Sequence, residues 1–141
     1  MTGVQTCALP ICFPVTILGG ALVEEKKALQ KALEDVQAMI GHMVGVAMQS
    51  QVDPKEIYKV GLNTSRLLMA AGELIIAWLL LRQADIAQSK LATAGKDTDF
   101  YTGKIASAKF FARSVLPHIS VERAVVESES GEIMDIAEAA F

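Results

Sequence analysis

The sequence predicts an all-α fold, an antiparallel bundle of three long helices with a docked C-terminal tail. Three observations lead there. Apolar residues recur at alternating steps of three and four in two long stretches, the mark of amphipathic helices. Between those stretches lies Leu67–Leu81, LLMAAGELIIAWLLL, which is apolar nearly all the way round a helix. Short segments rich in turn and cap signals separate the stretches, so successive helices should be antiparallel neighbours.

Composition sets the bounds. The 141 residues suit one domain, and 52% are hydrophobic, enough for a sizeable core. Aromatics are few and Ala, Leu, Glu and Lys are common, a mixture that favours helix. The net charge is -3 and no basic patch argues for nucleic acid. The two cysteines, Cys7 and Cys12, both lie in the first dozen residues. Beyond them neither a disulfide nor a thiolate metal site can be built, and the expected compartment is a reducing cytoplasm.

The N-terminus reads MTGVQTCALPI. No positive n-region precedes its apolar residues, and Pro10 and Pro14 interrupt them, so a signal peptide is not expected. Thr2–Ile11 instead resembles the translated read-through of a short-read sequencing adapter. On that reading residues 1–12 are an artefact, Cys7 belongs to it, and the natural protein extends further upstream. Residues 13–21 form a linker ending at Gly19-Gly20, and residues 22–141 form the helical domain.

The first helix is expected over Leu22–Ser50, about 43 Å long. Leu22, Leu29, Leu33, Val36, Ile40, Met43 and Ala47 form its inner stripe, broken only by Lys26 at an exposed start. Glu24, Glu25, Lys27, Lys31, Glu34 and Asp35 are expected on the outer face. Gly41 and Gly45, one turn apart, permit either a close crossing or a loosened end.

Asp53-Pro54-Lys55-Glu56 starts the second helix. Asp53 caps free backbone donors, Pro54 suits the first position, and Glu56 sits where a capping box needs a carboxylate. The helix should run to Ala92, roughly 57 Å, with a kink invited by Gly61, Asn63, Thr64 and Ser65. Its core is the 67–81 run. Arg66 and Arg82 bracket that run too closely for a membrane span, which wants about 20 apolar residues. Two companion helices cannot shield all of it. Contiguous uncovered apolar surface marks an interface.

Thr93–Asp99, TAGKDTD, is a turn with Gly95 as C-cap, followed by Asp97 or Thr98 as the next N-cap. The third helix turns Tyr101, Ile105, Ala108, Ala112, Val115 and Ile119 inward, and Lys104, Lys109, Arg113, Glu122 and Arg123 outward as a solvated face. Pro117 should kink it near Arg113. The helix fades at Glu127–Gly131, and Ile133–Phe141 reads as a docked tail.

Catalytic chemistry is not visible. There is no Gly-rich phosphate loop, no HExxH and no ExxH. His42 and His118 are solitary. Glu73 is the one carboxylate amid the apolar run; it is either a desolvated base or, without a second catalytic group, a residue on the thin polar side of its helix. Trp78, Met39, Met43, Met48 and Met69 read as core filling. No catalytic, cofactor-binding or metal residue is assigned.

Phe100–Ser120, FYTGKIASAKFFARSVLPHIS, and Gly131–Phe141, GEIMDIAEAAF, resemble the C-terminal end of bacterial acyl-CoA dehydrogenases that carry an extra helical domain. Tyr58–Ala84, with Trp78 and Arg82-Gln83-Ala84, is similar to that domain's long central helix. The resemblance covers Leu22–Phe141. It implies a parent enzyme that oxidises an acyl-CoA thioester at its α,β carbons and passes a hydride to FAD, in fatty-acid oxidation. The family's glutamate base and flavin-binding body lie upstream of this domain, so no family site residue maps onto this chain. One departure is Ala137, where family tails often carry Pro. The resemblance further implies partners: the catalytic body, the acyl-CoA substrate in the parent, and further copies in a homo-oligomer. The rival reading from composition alone is a non-enzymatic adaptor bundle, and a weaker one is a membrane-associated helix pair.

Overall fold

A computed structural model describes residues 22–140. The adapter-like segment, both cysteines, the 13–21 linker and Phe141 lie outside the described residues. Four α-helices follow in order: α1 Val23–Gln49, α2 Ile57–Lys90, α3 Thr98–Ser114 and α4 Leu116–Ser128. No strand occurs among the described residues.

The second helix starts as expected. Asp53 Oδ1 accepts from the Lys55 backbone N–H at 3.0 Å, and Pro54–Glu56 forms a 3-10 turn leading into α2. Glu56 does not complete a capping box. Its carboxylate accepts instead from Lys59 Nζ at 2.8 Å, because a lysine one turn on offers a charged donor. α2 runs unbroken through Gly61–Ser65. Thr64 Oγ1 and Asn63 Nδ2 donate back to the carbonyls of Val60 and Lys59, so these donors are satisfied on their own helix, while the buried Asn63 Oδ1 is not. The helix ends through a 3-10 turn, Leu91–Thr93, two residues before Gly95. Gly95 takes φ +54, the left-handed region that suits glycine, but it opens a second 3-10 turn rather than capping α2 directly. Neither Asp97 nor Thr98 caps α3 with its side chain; Thr98 Oγ1 donates to Gly95 O at 2.7 Å.

The third helix is two. Pro117 sits in the first turn of α4, and the break falls at Val115, two residues beyond the expected site. Proline lacks the N–H that would bond the Arg113 carbonyl, and its ring crowds that carbonyl. The first turn of a new helix tolerates both.

Cross-helix polar contacts show the direction of each element. Along α1, Glu25 meets Arg113 and Asp35 meets Arg123, so α3–α4 runs parallel to α1. Along α2, Gln83 meets Lys104 while Arg66 meets Glu122, so α3–α4 runs antiparallel to α2. The bundle is therefore up, down, up, as predicted. Its main core joins Met39, Leu74, Leu116, Ile119 and Val126, and a second cluster joins Leu22, Leu81, Ala84, Ile105 and Ala108.

The inner face of α1 differs from the expected stripe. Met39 and Val46 are buried, where Ile40 and Ala47 are half-buried. Glu25, Lys26 and Asp35, expected in solvent or at an exposed start, are buried. α1 is wedged between α2 and the α3–α4 pair, so a wider arc of its surface is covered than one seam would cover. Gly41 and Gly45 are exposed, and a Cβ on either would meet nothing within 4 Å, so neither marks a close crossing.

The tail lies against the start of the second helical run, at the 3-10 turn and the first turn of α2. Lys55 Nζ pairs with Asp135 at 2.6 Å, and Gly131, at φ +76, lies where a Cβ would come within 3.2 Å of the Lys59 side chain. Ile133, Met134 and Ile136 stay exposed.

Candidate interaction surface

The residues singled out from sequence do not converge. Glu73 is half-buried on α2, with no ion-pair partner among the described residues. His42 is half-buried on α1 and His118 exposed on α4. No group of three metal-ligating side chains occurs among the described residues. Met39 and Met43 fill the core as expected, but Met48 and Met69 are exposed. Trp78 is half-buried, with the Arg82 guanidinium 5.0 Å from its ring centre.

Two arrangements go beyond ordinary packing. The first is a buried ionic cluster between α1 and α4. Asp35 has no exposed surface. Its Oδ1 accepts from Lys31 Nζ and from Arg123 at 3.1 Å, and its Oδ2 accepts from Ser120 Oγ. Arg123 also donates to Glu127 at 2.7 Å. Burial pushes the Asp35 carboxyl upward, but the three hydrogen bonds and the Lys31 charge outweigh it, and its pKa lies below the ordinary value. A carboxylate held ionised and enclosed by its own chain is a cross-link. It offers no open position to a substrate. Lys104, Arg113, Glu122 and Arg123, read from sequence as a solvated face, likewise reach across to α1 or α2. Beside one of these pairs lies a shallow cleft of about 210 Å³, lined by Glu24, Glu25, Ala28, Ala112, Arg113 and Pro117. Its charged lining is Glu24, Glu25 and Arg113, and each is already paired: Arg113 with Glu25, and Glu24 with Lys27.

The second arrangement is the outward side of α2. Its inner face presents Ala70, Leu74, Ala77, Leu81, Ala84 and Ala87 to the other helices. Its outer face presents Leu68, Met69, Ile75, Ile76, Leu79 and Ile86 to solvent. The larger aliphatics thus face out. Alanines inside let α1 and α3 approach closely, and a close approach leaves no room for the Leu and Ile side chains. The uncovered apolar surface foreseen for the 67–81 run is present. By length and composition the helical run Pro54–Thr93 could also cross a membrane; 22% of its most apolar window is buried inside the fold. Phe100 and Phe110 are also exposed on α3, with Lys104 Nζ 5.5 Å from the Phe100 ring centre.

What sequence reasoning missed is the Asp35 cluster. A signal was available: Asp35 stands between Lys31, one turn before it, and the inward Val36.

Known proteins are similar to this chain. The family model described as "Acetyl-CoA dehydrogenase C-terminal like" matches residues 4–137. A broad-specificity linear acyl-CoA dehydrogenase of Mycobacterium tuberculosis is 45% identical over 124 residues, 86% of this chain and 20% of that protein. Two butyryl-CoA dehydrogenases of Syntrophomonas wolfei subsp. wolfei are 36% and 34% identical over 85 and 83 residues, 14% of each protein. The chain spans a fifth or less of the length of these curated relatives.

Proposed function

The chain belongs to the family of acyl-CoA dehydrogenase C-terminal domains, and from that premise we propose that it is the helical C-terminal part of an FAD-dependent enzyme oxidising linear acyl-CoA thioesters. Its own role is structural. It packs on the catalytic body of the same enzyme, within a homo-oligomer, and carries no catalytic group. The observation behind this reading is the 45% identity over nearly the whole chain to one fifth of a full dehydrogenase. A stretch of that size, with no open polar site among its described residues, fits a supporting domain.

The described residues do not fit FAD. The cleft at Glu24 and Arg113 is smaller than the roughly 300–1,000 Å³ of ligand pockets, and its one cation, Arg113, is already paired with Glu25, leaving no free positive charge for a pyrophosphate. The flavin and the proton-abstracting base are therefore assigned to the body, and no chemical step is derived from these helices. The same reading places the enzyme in the cytoplasm, in fatty-acid β-oxidation, on the strength of the family's chemistry. It also treats α2 as a soluble helix. Between Arg66 and Arg82 lie 15 residues, about 22 Å of helix against a hydrocarbon core of ~30 Å.

The test uses the 141-residue chain itself. After incubation with FAD and gel filtration it should show no flavin absorbance and no acyl-CoA-dependent dye reduction, and it should stay in solution without detergent. Stoichiometric bound flavin would overturn the assignment.

A further inference from the structure

The outward side of α2 has a regular spacing of its own. Gly61, Ser65, Leu68, Gly72, Ile75, Leu79, Arg82 and Ile86 follow at alternating steps of four and three, and all but the half-buried Gly72 are exposed. That is the spacing of a seam that takes a second helix at a shallow angle. This seam is separate from the inner one, which α1 and α3 already occupy.

The seam is complementary to itself when reversed. In an antiparallel pairing about a two-fold axis between Glu73 and Leu74, Leu68 meets Leu79 and Gly72 meets Ile75. Further out, Gly61 meets Ile86, and Ser65, a hydroxyl, meets the Arg82 guanidinium. Each glycine thus faces a branched side chain, and the one cation faces an acceptor. A parallel pairing would set Gly72 on Gly72, leaving a gap, and Arg82 on Arg82, a like-charge contact. The glycines are not needed by the chain's own fold, since a Cβ at Gly61 or Gly72 would meet nothing within 4 Å.

We propose that the outward seam of α2 is a two-fold antiparallel interface with a second copy of this chain. The inference rests on the homo-oligomer part of the reading above and is independent of its chemistry. From Gly61 to Ile86 the seam is ~38 Å long and about one helix wide, ~10 Å, so each copy covers on the order of 400 Å². Both copies together fall below ~1,200 Å², the range of weak and transient interfaces. The dimer should accordingly dissociate in the micromolar range and be missed at high dilution.

Sedimentation equilibrium from micromolar to near-millimolar loading should show a monomer–dimer equilibrium. Leu68→Glu and Leu79→Lys, each on an exposed position, should each give a folded monomer by circular dichroism. Mixing the two variants should restore the dimer, because the register sets position 68 of one copy against position 79 of the other. Restoration by Leu68→Glu with Leu68→Lys instead would overturn the antiparallel register. A wild-type chain that stays monomeric at the highest loading would overturn the proposal and leave the catalytic body to cover this face. Neither result touches the flavin test.

Discussion

The two faces of α2 invert the usual order. The inner face is largely alanine, and the outer face carries most of the leucine and isoleucine. Two leucines one turn-half apart make the contrast. Leu81 has no exposed surface and Leu79 is 43% exposed. The same side chain on the same helix therefore does different work: one fills the cluster of Ala84, Ile105 and Ala108, and the other awaits a neighbour. α1 shows the reverse inversion, with Glu25, Lys26 and Asp35 inside. Burial here follows which elements flank a helix, and residue type follows second. An interior of small residues permits close packing, and an exterior of large ones stores apolar area for association.

Substitutions can break this contrast, and the largest effect should come from Leu81→Ala. It should cost about 2–5 kcal/mol in urea unfolding, as buried leucine truncations do. Asp35→Ala should come next, at roughly 2–3 kcal/mol. That lies below the ~3–5 kcal/mol of a fully buried pair because Lys31 and Arg123 keep a path to water.

The pH dependence sharpens the comparison further. The folded chain holds the Asp35 proton less tightly than the unfolded chain does, since its folded pKa is depressed. The stability this contributes is fully present above the unfolded value, near ~3.9, and is lost as pH falls through the folded one. Thermal melts should show an acid limb in the wild type that Asp35→Asn flattens.

Asn63 tests the inner face from the other side. It is buried, and its Oδ1 has no hydrogen-bond partner. Asn63→Leu should stabilise by about 1 kcal/mol, because it removes an unsatisfied acceptor and adds apolar contact. The smallest effect belongs to Leu79→Ala, within roughly ±0.5 kcal/mol for the monomer. A loss as large as that of Leu81→Ala would mean that the outer face is already covered within the chain.

Much of this protein could be read from its residues alone. The three-four spacing gave the helices, Asp53-Pro54 placed the start of the second, and Pro117 foretold the break in the third, because each depends on backbone chemistry within a few residues. The motifs of the third helix and tail were enough to point to the family. The excess of apolar surface on the 67–81 run was also legible, since two neighbours cannot encircle a helix that is greasy all round.

Only the tertiary structure decided which side of α2 was left bare. Periodicity could not resolve this, because a helix apolar on every side has no preferred face. Side-chain size resolved it: the alanines went where helices must approach closely. The same holds for Asp35. One residue off the expected stripe, it was drawn inside when Ser120 and Arg123, more than eighty residues away, came to lie against it. A local pattern records what each segment prefers, whereas burial is fixed by which distant segments arrive beside it.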